Sequence, residues 1–279
     1  MILQRIPLNL NLEENLKMLV KERQSESGHW YDRQGNPAYT VVGKNGKERG
    51  TTLRDARTLD LCPSVTTILG VAAKPGLDLW KQQQVLLSAL TLPKGQDESE
   101  NAWLERVMMD SKQTGRIAAE RGTAIHATIQ AFFEGNLIPE AMPLCRPVEE
   151  AINAHFGQQL WLPELSFAHD LGFGGKSDLV AKPRHDFAGI CIDIKTKETT
   201  DIEKVDVFPE HGMQLAAYRK GFAMPQARCA NVFVGYKMVE GVITFTGVKV
   251  IEHDPADMDR YWLMFTKLLE FWQLKNNHK

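Results

Sequence analysis

Apolar residues recur at helical spacing through much of the first half of the chain. Three runs carry this period: LDLWKQQQVLLSAL, AWLERVMMD and RIAAERGTAIHATIQAFFEG. The period ends at Gly135, a residue type that commonly follows the last turn of a helix. The next run, PVEEAINAHFGQQLW, predicts a helix that starts at Pro147, because proline is favoured in the first helical turn. The pattern therefore predicts a mainly helical segment from about Gly76 to Trp161.

Short β-prone runs then replace the helical period. ELSFAHD, FGGKSDLVAKP and AGICIDIKT are joined by turn residues, which predicts an antiparallel meander. HGMQLAAYRKGFAM returns to helix, NVFVGYKM and VITFTGVKVI predict two strands around a Glu240-Gly241 turn, and PADMDRYWLMFTKLLEFWQLK predicts a closing amphipathic helix. From residue 115 onward the predicted order is therefore α, α, β, β, β, α, β, β, α.

The N-terminal region shows turn and cap signals. Asn45-Gly46 lies between short β-prone runs and predicts a hairpin. Ser64 follows Pro63 and suits the N-cap of a short helix, either as a plain cap or as part of a phosphate-binding helix terminus. We predict one α/β core over residues 111–279, with residues 1–110 as a hairpin and helical elaboration packed on it.

Composition narrows the class of protein. The 279 residues are 43% hydrophobic and 24% charged, as in a globular domain with a substantial core. Apolar runs are far shorter than the ~18–20 residues of a membrane span, and MILQRIPLNLNLEENLKM does not predict a secretory signal. The net charge of −2 argues against a broadly basic nucleic-acid surface, so a polyanion partner would need a local groove or a metal ion.

The four cysteines are scattered singly, without a C-x-x-C pair. This spacing is typical of a reducing compartment and excludes a zinc or iron–sulfur site built from local cysteine pairs. A cytoplasmic location is therefore expected, with no membrane partner. The sequence also lacks a G-x-x-x-x-G-K-[ST] motif, so we expect no nucleotide cofactor.

Charged residues interrupt two of the predicted strands. Strand alternation places Asp193 and Lys195 on one face of the CIDIK run, roughly 6.5–7 Å apart along the strand. If GGKSDLVA and CIDIK pair as a hairpin, Asp178 can face Asp193 across the ladder, where two carboxylates repel unless a cation lies between them. Hard oxygen ligands of this kind suit Mg²⁺ or Mn²⁺. The alternative is an Asp–Lys ion pair on a solvated sheet face, which contributes little stability.

These residues resemble a known family signature. GGKSDLV followed by CIDIKTK is similar to the D-x(n)-(D/E)-x-K signature of the PD-(D/E)XK nuclease superfamily. RGTAIHATIQAFFEG and MQLAAYRKG resemble the upstream histidine helix and the downstream Q-x-x-x-Y helix of its RecB-like exonuclease branch, and CPSVTTIL resembles a stretch of phage and mitochondrial exonucleases. The resemblance implies a central mixed sheet flanked by helices in the order α-β-β-β-α-β.

The resemblance also implies roles for individual residues. Asp178, Asp193 and Lys195 would be catalytic, and His126, Asp178, Asp193 and the Ile194 carbonyl would hold Mg²⁺ or Mn²⁺. The resemblance further implies that Gln214 and Tyr218 support the site and the scissile phosphate. Apart from the resemblance, Arg121 and Lys197 are the leading candidates for substrate contacts because they are closest to the motifs, and Ser64 is a candidate as a helix N-terminus. Lys176 and Arg116 are weaker candidates, and Glu164 could reach the metal through water or be a surface carboxylate. The basic residues that could line a phosphate groove are Arg116, Arg121, Lys176, Lys182, Arg184, Lys197, Arg219 and Lys220. A single cysteine, Cys229, follows the nuclease motifs, so no iron–sulfur cluster is expected.

The predicted function is metal-dependent hydrolysis of DNA from its ends, in phage or bacterial recombination or repair. The substrate would be linear duplex, single strand or both, and a single-strand annealing or recombinase protein would be a natural partner. Two alternatives stay open: a structure-specific or restriction-like endonuclease on the same fold, and a nuclease-dead DNA-binding subunit. The intact D…D-x-K set argues against the second alternative.

Overall fold

The computed structural model describes residues 28–279, so the expectation of no secretory signal lies outside the described part of the chain. Within residues 28–279 the strands are β1 (Trp30–Tyr31), β2 (Thr40–Val42), β3 (Glu48–Gly50), β4 (Cys62–Pro63), β5 (Leu162–His169), β6 (Phe173–Ala181), β7 (Ile190–Glu198), β8 (Arg228–Val239) and β9 (Val242–Glu252). The α-helices of the same range are α1 (Leu53–Leu59), α2 (Val65–Leu69), α3 (Pro75–Thr91), α4 (Glu100–Phe133), α5 (Met142–Phe156), α6 (Pro209–Gly221) and α7 (Pro255–Asn276). Short 3₁₀ turns lie at Pro139–Ala141 and Ile202–Lys204.

A mixed sheet in the order β5-β6-β7-β8-β9 forms the centre of the fold. Strands β5, β6 and β7 form the predicted antiparallel meander, and β8 pairs with β9 around the predicted Glu240-Gly241 turn. Strands β7 and β8 are parallel, so the chain must cross over between them, and α6 lies within this crossover. A mixed α/β fold with a five-stranded sheet flanked by helices is thereby confirmed.

Two apolar cores cover the two faces of the sheet. On one face Phe173 packs with Leu215 of α6 and Phe265 of α7. On the other face Ile192 packs with Ile129 of α4 and Ile152 of α5. Cys191 of β7 lies in the first core and its neighbour Ile192 in the second. Neighbouring residues of β7 therefore point into different cores, as strand alternation requires. This alternation decides which face carries the charged residues of β7.

The long helix α4 joins two of the predicted helical runs, AWLERVMMD and RIAAERGTAIHATIQAFFEG. It runs without a break from Glu100 to Phe133, and Trp80 of α3 packs over Gly115 between the two runs. The predicted division between residues 110 and 111 falls inside this helix and stays a prediction. None of the helices in the described range combines the length and apolar character that a membrane span requires.

The helix expected to start at Pro147 begins earlier. Helix α5 runs from Met142 to Phe156, and Pro147 lies inside it. The N-terminal position was assigned to the wrong proline, since Pro143 occupies the first turn. Pro147 removes the hydrogen bond that its amide would donate to the carbonyl four residues earlier, and the helix continues despite this loss.

The N-terminal segment is joined to the central sheet. The predicted hairpin is formed by β2 and β3, with Gly46 at φ +74° in the turn. Strand β1 pairs with β4, and Ser64 forms an isolated parallel bridge with Gly174 of β6. A Cβ atom at Gly174 would lie 2.7 Å from the Cβ of Tyr31. Only glycine permits this close approach, which fixes the N-terminal segment against β6.

Candidate active site

A cavity of about 1200 Å³ lies between the N-terminal segment, α4, α6 and strands β5 to β7. It brings together most of the residues predicted from the sequence. Those that line it are Ser64, His126, Glu164, Lys176, Asp178, Asp193, Ile194, Lys195, Gln214 and Tyr218.

Three acidic residues lie side by side across β5, β6 and β7. The residues that flank Glu164 on β5 pair with those that flank Asp178 on β6. The pairing of β6 with β7 ends at Leu179 and Ile192, and its register, continued by one residue, places Asp178 opposite Asp193. Both carboxylates line the same cavity.

Asp178 is held by groups on two different elements. Its Oδ2 atom accepts a hydrogen bond of 2.6 Å from the Ile194 amide, and its Oδ1 atom lies 3.8 Å from Nδ1 of His126 on α4. Burial, and then the nearby Asp193 carboxylate, raise the pKa of Asp178 above its ordinary value. A cation placed against Asp178 would relieve this unfavourable electrostatic environment.

A chain of hydrogen bonds runs from Asp193 to Tyr218. Lys195 Nζ donates to Asp193 Oδ1 at 2.9 Å and to Gln214 Oε1 at 3.0 Å. Gln214 Nε2 donates to the Tyr218 hydroxyl at 2.7 Å. Gln214 and Tyr218 are one turn apart on α6, so the helix presents both side chains to the same site. The ammonium group of Lys195 is thereby oriented by two partners.

Asn231 contacts Asp193 directly and His253 contacts Asn231, and neither residue was predicted from the sequence. Asn231 on β8 is the register partner of Asp193, and its Nδ2 atom donates to Asp193 Oδ2 at 2.7 Å. His253 Nε2 lies 2.8 Å from Asn231 Oδ1, and Asn231 is fully buried. The sequence held a signal for Asn231: a polar residue begins the apolar run NVFV, just as Asp193 interrupts the apolar run CIDI.

Further residues line the cavity without having been predicted. Thr123 and Gln130 lie on the same face of α4 as His126, and Glu134 is the C-cap residue of that helix, so helical spacing could have identified them. The rings of His29 and Tyr39 also line it, and they stack with centroids 4.5 Å apart. Their position depends on contacts between distant parts of the chain, for which the sequence offers no local signal.

Most of the predicted basic residues lie elsewhere. Within residues 28–279 Lys176 is the only one of the eight groove candidates on the cavity wall, and it forms an ion pair with Glu164. Arg121 Nη1 lies 3.7 Å from Glu198 Oε2, and Arg116 Nε lies 3.5 Å from Glu120 Oε1. Lys197 is exposed outside the cavity. Arg219 does not line a groove, because its side chain is buried and paired with Asp259 at 2.6 Å.

The Ser64 hydroxyl caps α2, as one of the two predictions for it states. Its Oγ atom accepts a hydrogen bond of 3.0 Å from the Thr67 amide and contacts the hydroxyls of Thr66 and Thr67. A role for Ser64 in phosphate binding stays a prediction.

The donor set around Asp178 fits a hard divalent ion in its chemistry. Carboxylate oxygens, a backbone carbonyl at Ile194 and the His126 imidazole are all ligands that Mg²⁺ or Mn²⁺ accepts, and the raised pKa of Asp178 fits a nearby cation. Among the residues that the structure describes, no three His, Cys, Asp or Glu side chains already converge on one point. At Asp193, Lys195 and Asn231 contact both carboxylate oxygens.

No protein-family model matches the sequence, and no curated protein compared with it matches either. Among solved structures, the chain is similar to SSO0001, with 14% identity, 69% of this chain and 86% of that chain covered, and a TM-score of 0.29. It is similar to an alkaline exonuclease from Laribacter hongkongensis, with 17% identity, 72% and 94% coverage and a TM-score of 0.34. A provisionally named exonuclease from Eubacterium rectale has 12% identity, 56% and 67% coverage and a TM-score of 0.32. These identities and TM-scores are low, so the proposals below rest on the residues of this chain.

Proposed function

We propose that the chain is a PD-(D/E)XK-type deoxyribonuclease that hydrolyses phosphodiester bonds from DNA ends with Mg²⁺ or Mn²⁺. The observation that carries the proposal is the meeting of Asp178, Asp193, Lys195, His126 and Gln214 in one cavity, from two strands and two helices. A plain surface ion pair would not need a buried Asp193, whose side chain is 4% exposed.

Each residue of the site has a role in this reaction. Asp178, His126, Asp193 and the Ile194 carbonyl would hold the ion, which when bound lowers the pKa of water and stabilises negative charge on phosphate. Lys195 would orient the attacking water and donate to the phosphate oxygens. Gln214 would keep the ammonium of Lys195 in place, and Tyr218 would in turn position Gln214.

The proposed biological setting is the cytoplasm of a bacterial or phage-infected cell, in recombination or repair. A single-strand annealing or recombinase protein would use the product strand. Arg116, Arg121 and Lys197 would contact DNA only outside the cavity, where the structure leaves them at the surface.

The test of this proposal compares three DNAs: an end-labelled linear duplex, the matching single strand and a closed circle. Each is incubated with Mg²⁺, Mn²⁺ or EDTA. We expect progressive loss of linear DNA with metal and an intact circle. A nicked or linearised circle would identify an endonuclease, and binding without metal-dependent cleavage would identify a binding subunit.

Substitutions at the centre of the site test the assignment of residues. Asp193→Ala and Lys195→Ala are each expected to lower cleavage at least about 100-fold, because each removes a group that acts on the reacting phosphate or its ion. Lys267→Ala is the matched control, since Lys267 is exposed on α7 and pairs only with Glu270 among the described residues. Retained activity in both site variants, with melting temperatures unchanged, would contradict the proposal.

A further inference from the structure

The stacked rings of His29 and Tyr39 line the same cavity as Asp178 and Lys195, but the proposed reaction does not use them. Their centroids are 4.5 Å apart and their planes differ by 24°. His29 is exposed and Tyr39 is half-buried. The pair therefore presents an aromatic surface beside the residues that would act on a phosphate.

The position of this pair is fixed relative to the catalytic strand. The Tyr39 hydroxyl forms a hydrogen bond of 2.8 Å with the hydroxyl of Tyr31, whose ring meets the Tyr39 ring edge-on at 5.7 Å. Tyr31 is 2% exposed and packs directly against Gly174 on β6, the strand that also carries Asp178. Such support is expected of a binding surface, because a preorganised ring loses little freedom when a ligand stacks on it.

The charges of the cavity favour a substrate held by stacking. Among the described lining residues the carboxylates are Glu134, Glu164, Asp178 and Asp193, against two lysines. Lys176 is paired with Glu164 and Lys195 with Asp193. A phosphate chain therefore gains little from the side-chain charges alone, whereas base stacking on aromatic rings is independent of charge and of sequence.

The size of the cavity favours an unpaired strand. Its volume of about 1200 Å³ is close to that of pockets that enclose small ligands, roughly 300–1,000 Å³. A few unpaired nucleotides fit such a space. The bases of an intact duplex are stacked on one another inside the helix, so they are unavailable to a protein ring.

We propose that His29 and Tyr39 form a stacking platform for the base of an unpaired nucleotide whose backbone enters the cavity at Asp178 and Lys195. This inference rests on the proposed function for the identity of the ligand as DNA. It assigns single-stranded ends as the substrate, so a duplex would have to fray before it is cleaved.

A binding experiment tests the platform without requiring cleavage. Single strands carrying one 2-aminopurine at successive positions from each end are mixed with the full chain in Ca²⁺, and gels verify that the strands stay intact. Stacking quenches 2-aminopurine, so we expect quenching at one or two positions. The double variant His29→Ala/Tyr39→Ala should lose it, while Tyr39→Phe, which keeps the ring, should retain it.

The control variant is Phe271→Ala, which removes an exposed ring of α7 outside the cavity. Melting temperatures show whether each variant folds. Equal quenching by the double variant and the wild type would overturn the platform, and so would the absence of quenching by the wild type at every position.

A cleavage experiment separates this inference from the proposed function. Strands with one abasic site replace the 2-aminopurine strands, and we expect the missing base to lower kcat/KM about tenfold at the same positions in the wild type but not in the double variant. Cleavage by the wild type without that difference would overturn the platform alone. Quenching lost in the double variant, with no cleavage of any DNA, would leave the platform standing and overturn the proposed function.

Discussion

At the scale of single residues, hydrogen bonds join Asp193, Lys195, Gln214 and Tyr218 into one chain, and Asn231 holds Asp193 from the neighbouring strand. Strand alternation placed Asp193 and Lys195 on one face, and helical spacing placed Gln214 and Tyr218 together; both follow from local geometry. Asn231 could not be assigned, because its role depends on the parallel register of β8 with β7, which no local pattern determines. The supporting residue was visible only as a polar interruption of an apolar strand.

Asn231 is expected to position the Asp193 carboxylate. Asn231→Asp replaces the donor at 2.7 Å with a second carboxylate, so repulsion should turn Asp193 away and lower kcat about 10–100-fold. The Mg²⁺ concentration for half-maximal activity should rise at the same time. Steady-state kinetics across a Mg²⁺ titration measure both quantities.

A purely structural role for Asn231 would give a different result. Asn136→Asp, in the exposed turn after α4, serves as the control. If Asn231→Asp lowers the melting temperature but leaves the Mg²⁺ concentration for half-maximal activity of the folded protein unchanged, Asn231 does not position the Asp193 carboxylate.

At the scale of elements, the sequence predicted which segments form helices and strands better than it predicted where each helix begins and ends. The strand runs, the crossover helix and the Asn45-Gly46 hairpin follow from periodicity and turn chemistry. Helix α4 continues through Gly115, where packing against Trp80 offsets the low helix propensity of glycine. Pro147 was predicted to start a helix but lies inside α5, because tertiary contacts of α5 compensate for one missing hydrogen bond.

Helix α6, which carries Gln214 and Tyr218, should weaken in acid because of His211. The His211 Nδ1 atom accepts a hydrogen bond of 3.2 Å from the Phe208 amide at the helix start. Burial, and then the nearby Lys195 ammonium, lower the pKa of His211 from 6.5 to about 4. Between pH 4 and pH 6.5 the native state therefore binds fewer protons than the unfolded chain. The stability that neutral His211 contributes is fully present above pH 6.5 and is lost as the pH falls towards 4.

Urea unfolding at about pH 7.5 and about pH 5 measures this effect in the wild type and in His211→Gln. We expect the free energy of unfolding of the wild type to fall by about 2 kcal/mol more than that of the variant. His185→Gln is the control, because His185 is exposed. Equal losses in the wild type and His211→Gln would show that His211 does not couple α6 to pH.

At the scale of the whole molecule, the fold class followed from the order of the elements, while the cavity did not. The N-terminal segment closes the cavity through the contact of Tyr31 with Gly174, which joins positions far apart in the sequence. With a net charge of −2, the chain as a whole is expected to have no general attraction for DNA.

DNA binding should accordingly depend on divalent cations even without cleavage. Carboxylates outnumber lysines on the described cavity wall, so they repel phosphate unless a cation compensates. We expect the Kd of a labelled single strand, measured by anisotropy, to be at least about tenfold higher in EDTA than in Ca²⁺. Glu134→Gln should narrow this difference, and equal affinities in both conditions would contradict the charge argument.

The parallel pairing of β7 and β8 has a consequence for how the protein is made. Asp193 and its partner Asn231 are 38 residues apart, and the chain must complete α6 before β8 can dock. Pairings of such separation form late, because the loop must close before the contact stabilises it. A ribosome-bound chain that already displays Asp178, Asp193 and Lys195 would thus still lack an oriented Asp193 and the Gln214 contact. Synthesis itself would therefore delay the assembly of the candidate active site until the whole core has emerged.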